Sequence, residues 1–281
     1  MTRISYLNGE FLSHENCLIH IEDRGFQFGD GVYEVTLFEN NKFIDGDAHI
    51  ERLFRSLKEF KIEHDFKKEE LFEIMSQLFL RNKIEAGTCY LNITRGYHSR
   101  IPNCPKGLKP TINATVSPRK KFTKEEFEAG ITAITHDDIR WSRCDIKSVL
   151  LAPSSMMNQK AKDMGYNDAI LVRDGFVTEG SFANVFIVDQ NDVLITRNPD
   201  NFILQGITRN RLIDLAKKKG IKVEERKFSV EELLSAKEVF LTSSSLLVRP
   251  VVKINDVEIS GKKIGNIARL LSEEYQAFIN S

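Results

Sequence analysis

The chain has 281 residues, and its 40 Lys and Arg residues balance its 40 Asp and Glu residues. A net charge of zero argues against nucleic acid or an anionic membrane as the main partner, because both call for a basic surface. The sequence has no apolar run long enough to cross a bilayer and no apolar signal core near its start. Its four cysteines are scattered without metal-like spacing, which favours reduced thiols in a cytoplasmic protein.

The first part of the chain mixes helices and strands. A run rich in glycine and phenylalanine, residues 23–34, predicts a tight, packed loop that leads into a strand. The next four elements are two amphipathic helices, around residues 50–57 and 71–78, and two alternating strands, near residues 89–94 and 112–116. Asp47 is the expected N-cap of the first helix.

The second part begins with strands. Two hairpins are predicted, with turns at residues 173–175 and 189–192. A buried strand is expected at residues 239–242, after a helix that begins near Ile207 and stops at Gly220. A last helix is expected over about residues 264–278.

These elements predict an α+β fold in two lobes rather than a regular βαβ alternation. Residues 1–117 form the predicted N-terminal α/β domain, which is the smaller lobe. Residues 118–121 are polar and lack periodicity, and residues 118–122 form the expected linker. Residues 123–281 form the larger, β-rich C-terminal domain.

Lys147 is the first residue with predicted chemistry. Apolar residues flank it, with Ile146 on one side and residues 149–153 on the other. Such neighbours desolvate an ammonium and favour the neutral amine, which can form a Schiff base with pyridoxal phosphate (PLP). The alternative is a solvated surface lysine.

Glu179 supplies the acid that PLP chemistry also requires. A carboxylate at the pyridine nitrogen keeps that nitrogen protonated, so that the ring can accept electrons from the substrate. The adjacent Gly180 would let the backbone pass close to a ligand. The competing interpretation is an exposed glutamate in a turn.

Three segments offer groups for a phosphate. Ile207 and Thr208 open a predicted helix, and N–H groups at a helix N-terminus bind anions well. Ser243 and Ser244 add hydroxyl donors at a strand end, and Arg52 could clamp a phosphate bidentately. Each segment also has an ordinary interpretation. Thr208 could simply cap its helix, the two serines could form a polar turn, and Arg52 could be a solvated arginine.

Taken in order, six segments resemble the signatures of the class IV, fold-type IV, PLP-dependent aminotransferases. They are RGFQFGDGVYE at 24–34, HIERL at 49–53, RWSRCDIKS at 140–148, TEG at 178–180, QGITR at 205–209 and TSS at 242–244. Each is weak evidence alone, but the ordered set is specific and covers essentially the whole chain. The run at 140–148, and Arg100 shortly after TRG at 94–96, are most similar to the branch that acts on D-amino acids.

The resemblance implies a homodimer, PLP at the domain interface and a role for each matched residue. Lys147 would bind PLP and move the proton at the substrate Cα, while Glu179 would hold the pyridine nitrogen. Leu204 would lie near the ring. Tyr33 and Arg100 would contact the substrate carboxylate, Arg100 from the partner subunit. The residues expected at the cofactor's phosphate are Arg52, Ile207, Thr208, Ser243 and Ser244.

One departure from the family pattern concerns the carboxylate trap. The D-specific branch carries arginine, any residue and then histidine, whereas this chain has Pro102 two residues after Arg100. His98 lies two residues before that arginine, and Arg249 is unexpected in the segment after Ser245. We therefore expect a rebuilt trap, in which Arg249 or His98 compensates and Arg249 joins the substrate-binding residues. The preference for D-substrates should then be less strict.

The resulting hypothesis is a cytoplasmic, homodimeric transaminase. It would move an amino group from a D-amino acid to a 2-oxo acid, such as 2-oxoglutarate or pyruvate, by a ping-pong mechanism. Amino acids and 2-oxo acids are then the expected partners, and no metal, nucleic acid or membrane is expected. The alternatives are a branched-chain L-amino-acid transaminase, a 4-amino-4-deoxychorismate lyase that uses the same lysine for elimination, and a non-enzymatic binding module.

Overall fold

The computed structural model describes residues 3–281, apart from the side chain of Lys262. Its internal contacts divide the chain into two compact units. The first unit comprises the described residues up to Lys120 together with Ile146–Leu150, and the second comprises Lys121–Asp145 and Leu151–Ser281. The Lys147 segment therefore groups with the first unit, although the sequence-based division assigns it to the C-terminal domain. The domain boundaries themselves stay a prediction.

The first unit is built on one antiparallel sheet flanked by helices. Its elements are β1 (Ile4–Leu7), β2 (Glu10–Ser13), a 3-10 turn (His14–Asn16), α1 (Arg24–Phe28), β3 (Gly31–Glu39), β4 (Lys42–Phe43), α2 (Gly46–Phe60), α3 (Lys68–Asn82), β5 (Gly87–Thr94) and β6 (Thr111–Pro118). The six strands lie in the order β2-β1-β6-β5-β3-β4.

Helices α2 and α3 form because their apolar residues recur at helical spacing and bury one face of each helix. Ile50, Leu53 and Leu57 of α2 are completely buried in the same core as Leu91 of β5. Both predicted helices are confirmed. However, α2 begins after Asp45, so Asp47 lies in its first turn and the predicted N-cap is wrong.

The run at residues 23–34 is not the packed loop predicted for it. The Asp23 carboxylate accepts the Gly25 N–H at 2.8 Å and begins the five-residue helix α1. This helix ends at Gly29, which has the left-handed φ of 66° that glycine adopts without strain. Phe26 is 81% exposed, so the expectation that this run packs is wrong for that residue.

The second unit is built on a larger sheet. Its elements are α4 (Lys124–Ala129), β7 (Ile131–Asp137), α5 (Ala152–Asp163), β8 (Asp168–Arg173), β9 (Phe176–Gly180), β10 (Asn184–Val188), β11 (Leu194–Thr196), α6 (Ile207–Lys218), β12 (Val223–Glu225), α7 (Val230–Leu234), β13 (Glu238–Ser243), β14 (Leu247–Ile254), β15 (Val257–Glu258), a 3-10 turn (Ser260–Lys262) and α8 (Asn266–Asn280). The strand order is β12-β11-β10-β13-β14-β7-β8-β9, with β15 paired to β14.

Local turn chemistry explains the hairpins of this sheet. Strands β8 and β9 are joined by Asp174 and Gly175, whose φ angles of 53° and 79° are those of a two-residue hairpin turn. Strands β10 and β11 also pair antiparallel. Both predicted hairpins are confirmed, as are the helix that begins at Ile207 and the predicted α+β class.

Strand β10 is buried on both faces, which accounts for its continuous apolar sequence. Val185 and Ile187 face a core shared with Leu241 of β13. On the opposite face Phe186 stacks on Phe240 of β13, with ring centroids 5.0 Å apart. The centre of this sheet is therefore packed on both faces.

No helix within residues 3–281 combines the length and the apolar composition needed to span a bilayer.

A buried ion cluster joins four segments of the first unit. The Asp30 carboxylate accepts from Arg24 Nε at 2.8 Å and from Arg95 Nε and Nη2 at 2.7 and 3.0 Å. The same guanidinium groups bind backbone carbonyls: Arg24 donates to Ile101, and Arg95 donates to Phe60 at the end of α2. Two buried cations thus depend on one carboxylate.

Replacing Asp30 by asparagine should destabilise the protein strongly. The Asp30→Asn variant keeps the side-chain shape but leaves two buried arginines without a counter-charge, which costs about 3–5 kcal/mol. Urea denaturation measures the change in unfolding free energy. Asp47→Asn is the matched control, because Asp47 pairs with Lys68 at an exposed surface and should matter little. Equal effects of the two substitutions would contradict the assigned role of the cluster.

Candidate active site

Lys147 lies in a segment that runs beside the start of β3. The Tyr33 N–H donates to the Lys147 carbonyl at 3.0 Å, and the Val149 N–H donates to the Gly31 carbonyl at 3.1 Å. The half-buried Lys147 side chain extends over Tyr33, with Nζ 4.3 Å from the ring centroid. These bonds fix the backbone, and the aromatic face holds the amine in place.

Tyr33 is buried in β3 and stacks on Tyr90 of β5, with ring centroids 5.3 Å apart. Burial raises the pKa of Tyr90 to about 12, and Tyr33 adds to this effect. The Tyr90 hydroxyl is therefore a neutral group at physiological pH. Tyr33 therefore belongs to the core and also contacts Lys147, while its expected contact with the substrate carboxylate stays a prediction.

A second buried carboxylate, Glu34, orients Arg52 and His49. Glu34 Oε1 accepts from Arg52 Nε at 2.7 Å, and Oε2 accepts from Arg52 Nη2 and His49 Nδ1, both at 2.8 Å. Burial alone raises the pKa of Glu34, but Arg52 and His49 outweigh it and hold the pKa well below its ordinary value. Burial lowers the pKa of His49, so this imidazole is neutral and donates from Nδ1.

This arrangement changes the picture of Arg52. The sequence alone suggests a solvated arginine, whereas Arg52 is buried. Its Nε and Nη2 both donate to Glu34, so this edge of the guanidinium is already used within the chain. The phosphate role of Arg52 stays a prediction, and its supporting carboxylate was not found from the sequence.

Glu179 lies within β9 and is buried, which contradicts the exposed-turn interpretation. Its Oε1 accepts from Arg140 Nη1, and its Oε2 accepts from the Leu204 N–H at 3.0 Å and from Asn184 Nδ2 at 3.2 Å. Burial raises the pKa of Glu179, while Arg140 and the Leu204 N–H partly offset this effect. The Gly180 N–H donates to the Ala183 carbonyl, which lies in the short connection between β9 and β10.

The Glu179 carboxylate can accept one further proton donor. Two carboxylate oxygens offer about four lone-pair directions, and three donors use three of them. A protonated pyridine nitrogen needs one acceptor, so the remaining acceptor position of Glu179 fits the ring of PLP. Leu204, expected beside that ring, contributes its backbone to the same group: its N–H bonds to Glu179 and its carbonyl accepts from Asn184 at 2.8 Å.

Arg140 is itself held in place by a further carboxylate. Asp138 accepts from Arg140 Nε at 2.9 Å and from Nη2 at 2.8 Å, and also from the Thr178 hydroxyl at 2.9 Å. Arg140 thus links Asp138 to Glu179. Arg140 stands in a family motif, but its role, like that of Asp138, gave no separate signal in the sequence because their partners are distant along the chain.

The N-terminus of α6 offers backbone donors to a phosphate. Gly206 is the N-cap and provides no capping side chain, so Thr208 is not the cap that the alternative interpretation required. A Cβ at Gly206 would lie 2.0 Å from Asn184 Oδ1, so a side chain there would displace Asn184. Ile207 is the first helical residue, and the buried Thr208 hydroxyl lies 3.5 Å from that of Tyr275.

The end of β13 adds hydroxyl groups. Ser243 Oγ accepts the Leu246 N–H at 3.2 Å, which closes the turn that begins with Ser244. Thr242 Oγ1 is buried and has no hydrogen-bond partner within residues 3–281 as described. Thr242 pairs with Asn184 across the sheet, so its hydroxyl lies near the Asn184 end of β10. Gly206 lies beside the same asparagine. An orphaned buried hydroxyl at this position suits a polar ligand such as a phosphate.

The predicted trap residues lie in different settings. Arg100 is exposed and stacks on Phe28 at 5.3 Å, while Arg24 lies 4.5 Å from the same ring. His98 bonds through Nδ1 to the neighbouring Ser99 carbonyl at 2.7 Å. Both belong to the first unit, as do Lys147, Tyr33 and Arg52, whereas Arg249 and the Glu179 group belong to the second.

Across residues 3–281, no group of three or more His, Cys, Asp and Glu side chains has the arrangement of a metal site.

Comparisons with known proteins define the class. Residues 31–254 match the family model described as amino-transferase class IV. A D-alanine aminotransferase of Bacillus licheniformis is 40% identical, over 98% of this chain and 96% of that protein. One from Staphylococcus epidermidis is 37% identical, over 100% of this chain and 99% of its own length.

Solved structures agree on the fold. The branched-chain amino acid aminotransferase of Escherichia coli superposes with a TM-score of 0.92 at 24% identity, over 99% of this chain and 94% of that chain. A hypothetical aminotransferase of Mycobacterium tuberculosis, in its PLP-bound form, gives a TM-score of 0.85 at 25% identity, over 98% of each chain.

The chain belongs to the class IV aminotransferases, which confirms the family resemblance. It is a PLP-dependent aminotransferase with the fold-type IV architecture, and amino acids and 2-oxo acids are its substrates.

Glu34 should stabilise the protein in a pH-dependent way. Its folded-state pKa is depressed, so its contribution is fully present above the unfolded-state value of about 4.3 and is lost as pH falls below it. The gap in unfolding free energy between wild type and Glu34→Gln should therefore narrow below about pH 4.3. Denaturation from pH 7 to pH 3 measures it, with Glu10→Gln at an exposed carboxylate as the control. A gap that is constant over this range would refute the assignment.

Proposed function

We propose that this aminotransferase moves the amino group of a D-amino acid to 2-oxoglutarate or pyruvate by a ping-pong mechanism. The observation that carries the proposal is the 37–40% identity to D-alanine aminotransferases over nearly the whole chain. The likeness to a branched-chain enzyme at 24% identity supports the shared fold alone.

The chemistry divides between the two units. PLP, when bound, supplies the electron sink that lets the substrate Cα lose its proton. Lys147 supplies the amine that binds the cofactor covalently and carries the proton at Cα, and Tyr33 holds that amine over its ring. Glu179 would accept a hydrogen bond from the pyridine nitrogen and so keep that nitrogen protonated, and Arg140 keeps this carboxylate oriented.

The remaining assigned residues serve binding. The phosphate would be held by Arg52, by the N-terminus of α6 at Ile207 and Thr208, and by Ser243 and Ser244. The substrate α-carboxylate would be held by Arg100 from the partner subunit of a homodimer. Its exposure in the single chain supports a role at a second subunit.

A cytoplasmic location completes the proposal. It is supported by the bacterial relatives and by Cys17, Cys89, Cys104 and Cys144, which are all free thiols in the structure.

A substrate panel tests the proposed reaction. The purified enzyme should transaminate D-alanine and D-glutamate faster than their L-enantiomers, with pyruvate or 2-oxoglutarate as acceptor. The missing histidine of the trap leaves room for some activity on L-amino acids. Faster turnover of L-leucine with 2-oxoglutarate would point to a branched-chain enzyme, and release of pyruvate with 4-aminobenzoate from aminodeoxychorismate would point to the lyase.

Lys147→Ala should abolish multiple-turnover transamination, because no other group there can both bind the cofactor covalently and carry the proton. The fold should remain, as judged by circular dichroism, and the visible absorption band of bound PLP should shift. Lys160→Ala, at an exposed lysine of α5, should behave as wild type. Near-normal turnover by Lys147→Ala would falsify the assignment.

Arg100→Ala should weaken binding of every amino acid substrate. A guanidinium holds a carboxylate with charge-assisted bonds worth about 1.5–3 kcal/mol each, so apparent affinity should fall at least about tenfold. Half-reaction kinetics with D-alanine and D-glutamate measure the loss. Arg81→Ala is the matched control, because Arg81 is also exposed and stacks on Phe11 at 4.4 Å. Unchanged affinity for both substrates would sink the Arg100 assignment.

A further inference from the structure

Arg249 is a buried cation in an apolar setting. It lies in β14 opposite Leu241 of β13, and directly opposed residues of paired strands share one face of a sheet. Leu241 and Val251, which lies two residues further along β14, both belong to the central core of the second unit. Only 7% of Arg249 is exposed. The sequence therefore places a guanidinium where its neighbours are aliphatic.

Among the residues that the structure describes, this guanidinium has no hydrogen-bonding partner for one of its buried nitrogens. That nitrogen is Arg249 Nη1, and the group stacks on Phe122 at 4.0 Å. Burial lowers the pKa of Arg249, and the charge of Glu126 offsets this effect only in part. A buried charge is tolerated when it is paired, so an unpaired one indicates a missing anion.

Other buried arginines of the same unit show what a partnered site looks like. Arg197 pairs with Asp200, Arg209 with Glu225, and Arg140 with Asp138 and Glu179. Each of these cations meets a carboxylate of the chain. For Arg249, no ion pair with a carboxylate occurs within the described residues, so its carboxylate must come from elsewhere.

The position of Arg249 connects it to the cofactor residues of its unit. Asn184, Thr242 and Val248 form one row across β10, β13 and β14. Asn184 donates to Glu179, and Thr242 leads into the turn of Ser243 and Ser244. Arg249 follows Val248 directly, so it lies at the same end of the sheet. Because successive residues of a strand point to opposite faces, its side chain shares a face with Ser243 rather than with Thr242.

We propose that Arg249 binds the distal carboxylate of a dicarboxylic substrate, such as D-glutamate or 2-oxoglutarate. The inference rests on the proposed function, which assigns the α-carboxylate to Arg100. A dicarboxylate carries a second negative charge, two methylene groups away from Cα. A guanidinium can hold that carboxylate bidentately, and the face of Phe122 and the aliphatic neighbours suit the methylene groups.

Arg249→Met tests the proposal, because methionine keeps length and apolar packing but removes the charge. In half-reactions of the holoenzyme, apparent affinity for D-glutamate and 2-oxoglutarate should fall at least about tenfold. Affinity for D-alanine and pyruvate, which lack a second carboxylate, should stay near wild type. Arg269→Met, at a partly exposed arginine paired with Glu128, is the control and should change neither.

A binding measurement separates this inference from the proposed reaction. Glutarate, a dicarboxylate without an amino group, should raise the melting temperature of the wild-type holoenzyme but not of Arg249→Met. Equal losses for D-alanine and D-glutamate would assign Arg249 to the α-carboxylate and overturn the proposal, as would unchanged affinity for both. An enzyme inactive on all D-amino acids would instead overturn the proposed function, and the glutarate response would still report on Arg249.

Discussion

The buried carboxylate of Glu179 is the constraint on which the rest of the site depends. An acid in an apolar interior tends to take up a proton, and burial does raise the pKa of Glu179. The chain opposes this with Arg140, which Asp138 holds in turn, and with donors from Leu204 and Asn184. A buried carboxylate that stays charged can pair with a protonated pyridine ring. Without such a partner, keeping the charge buried is costly.

The same device recurs in the first unit with a different purpose. Glu34 orients Arg52 and His49, and Asp30 orients Arg24 and Arg95, so each carboxylate fixes two cationic or polar groups at once. Compared with an apolar replacement of both partners, a buried ion pair adds little net stability, although removing one partner alone is costly. Such pairs hold long side chains in one position. This is what a binding site needs from its supporting residues. Arg249 departs from the pattern, and its missing carboxylate is what points to a ligand.

Local signals in the sequence predicted much of the fold. Asp174 and Gly175 specify their hairpin turn, and the spacing of Ile50, Leu53 and Leu57 specifies a helix, because both depend on neighbouring residues. Family motifs led to the assignments of Lys147 and Glu179, and both roles stay predictions. The burial of Arg52 and Arg249, the support of Arg140 by Asp138 and the grouping of Lys147 with the first unit depend on contacts between distant residues, so no local pattern could show them. The helix α1 was missed because one Asp23 cap, rather than apolar periodicity, begins it.

The single-turnover rate of Cα deprotonation in Glu179→Gln tests the central claim most directly. Glutamine keeps the shape of the side chain and can still meet Arg140, but it cannot hold a proton on the pyridine nitrogen. The account predicts a large fall in the rate of the half-reaction with D-alanine and a smaller effect on the free energy of unfolding. The reason is that the substitution weakens the electron sink of the cofactor. A Glu179→Gln enzyme that converts D-alanine at the wild-type single-turnover rate would contradict it.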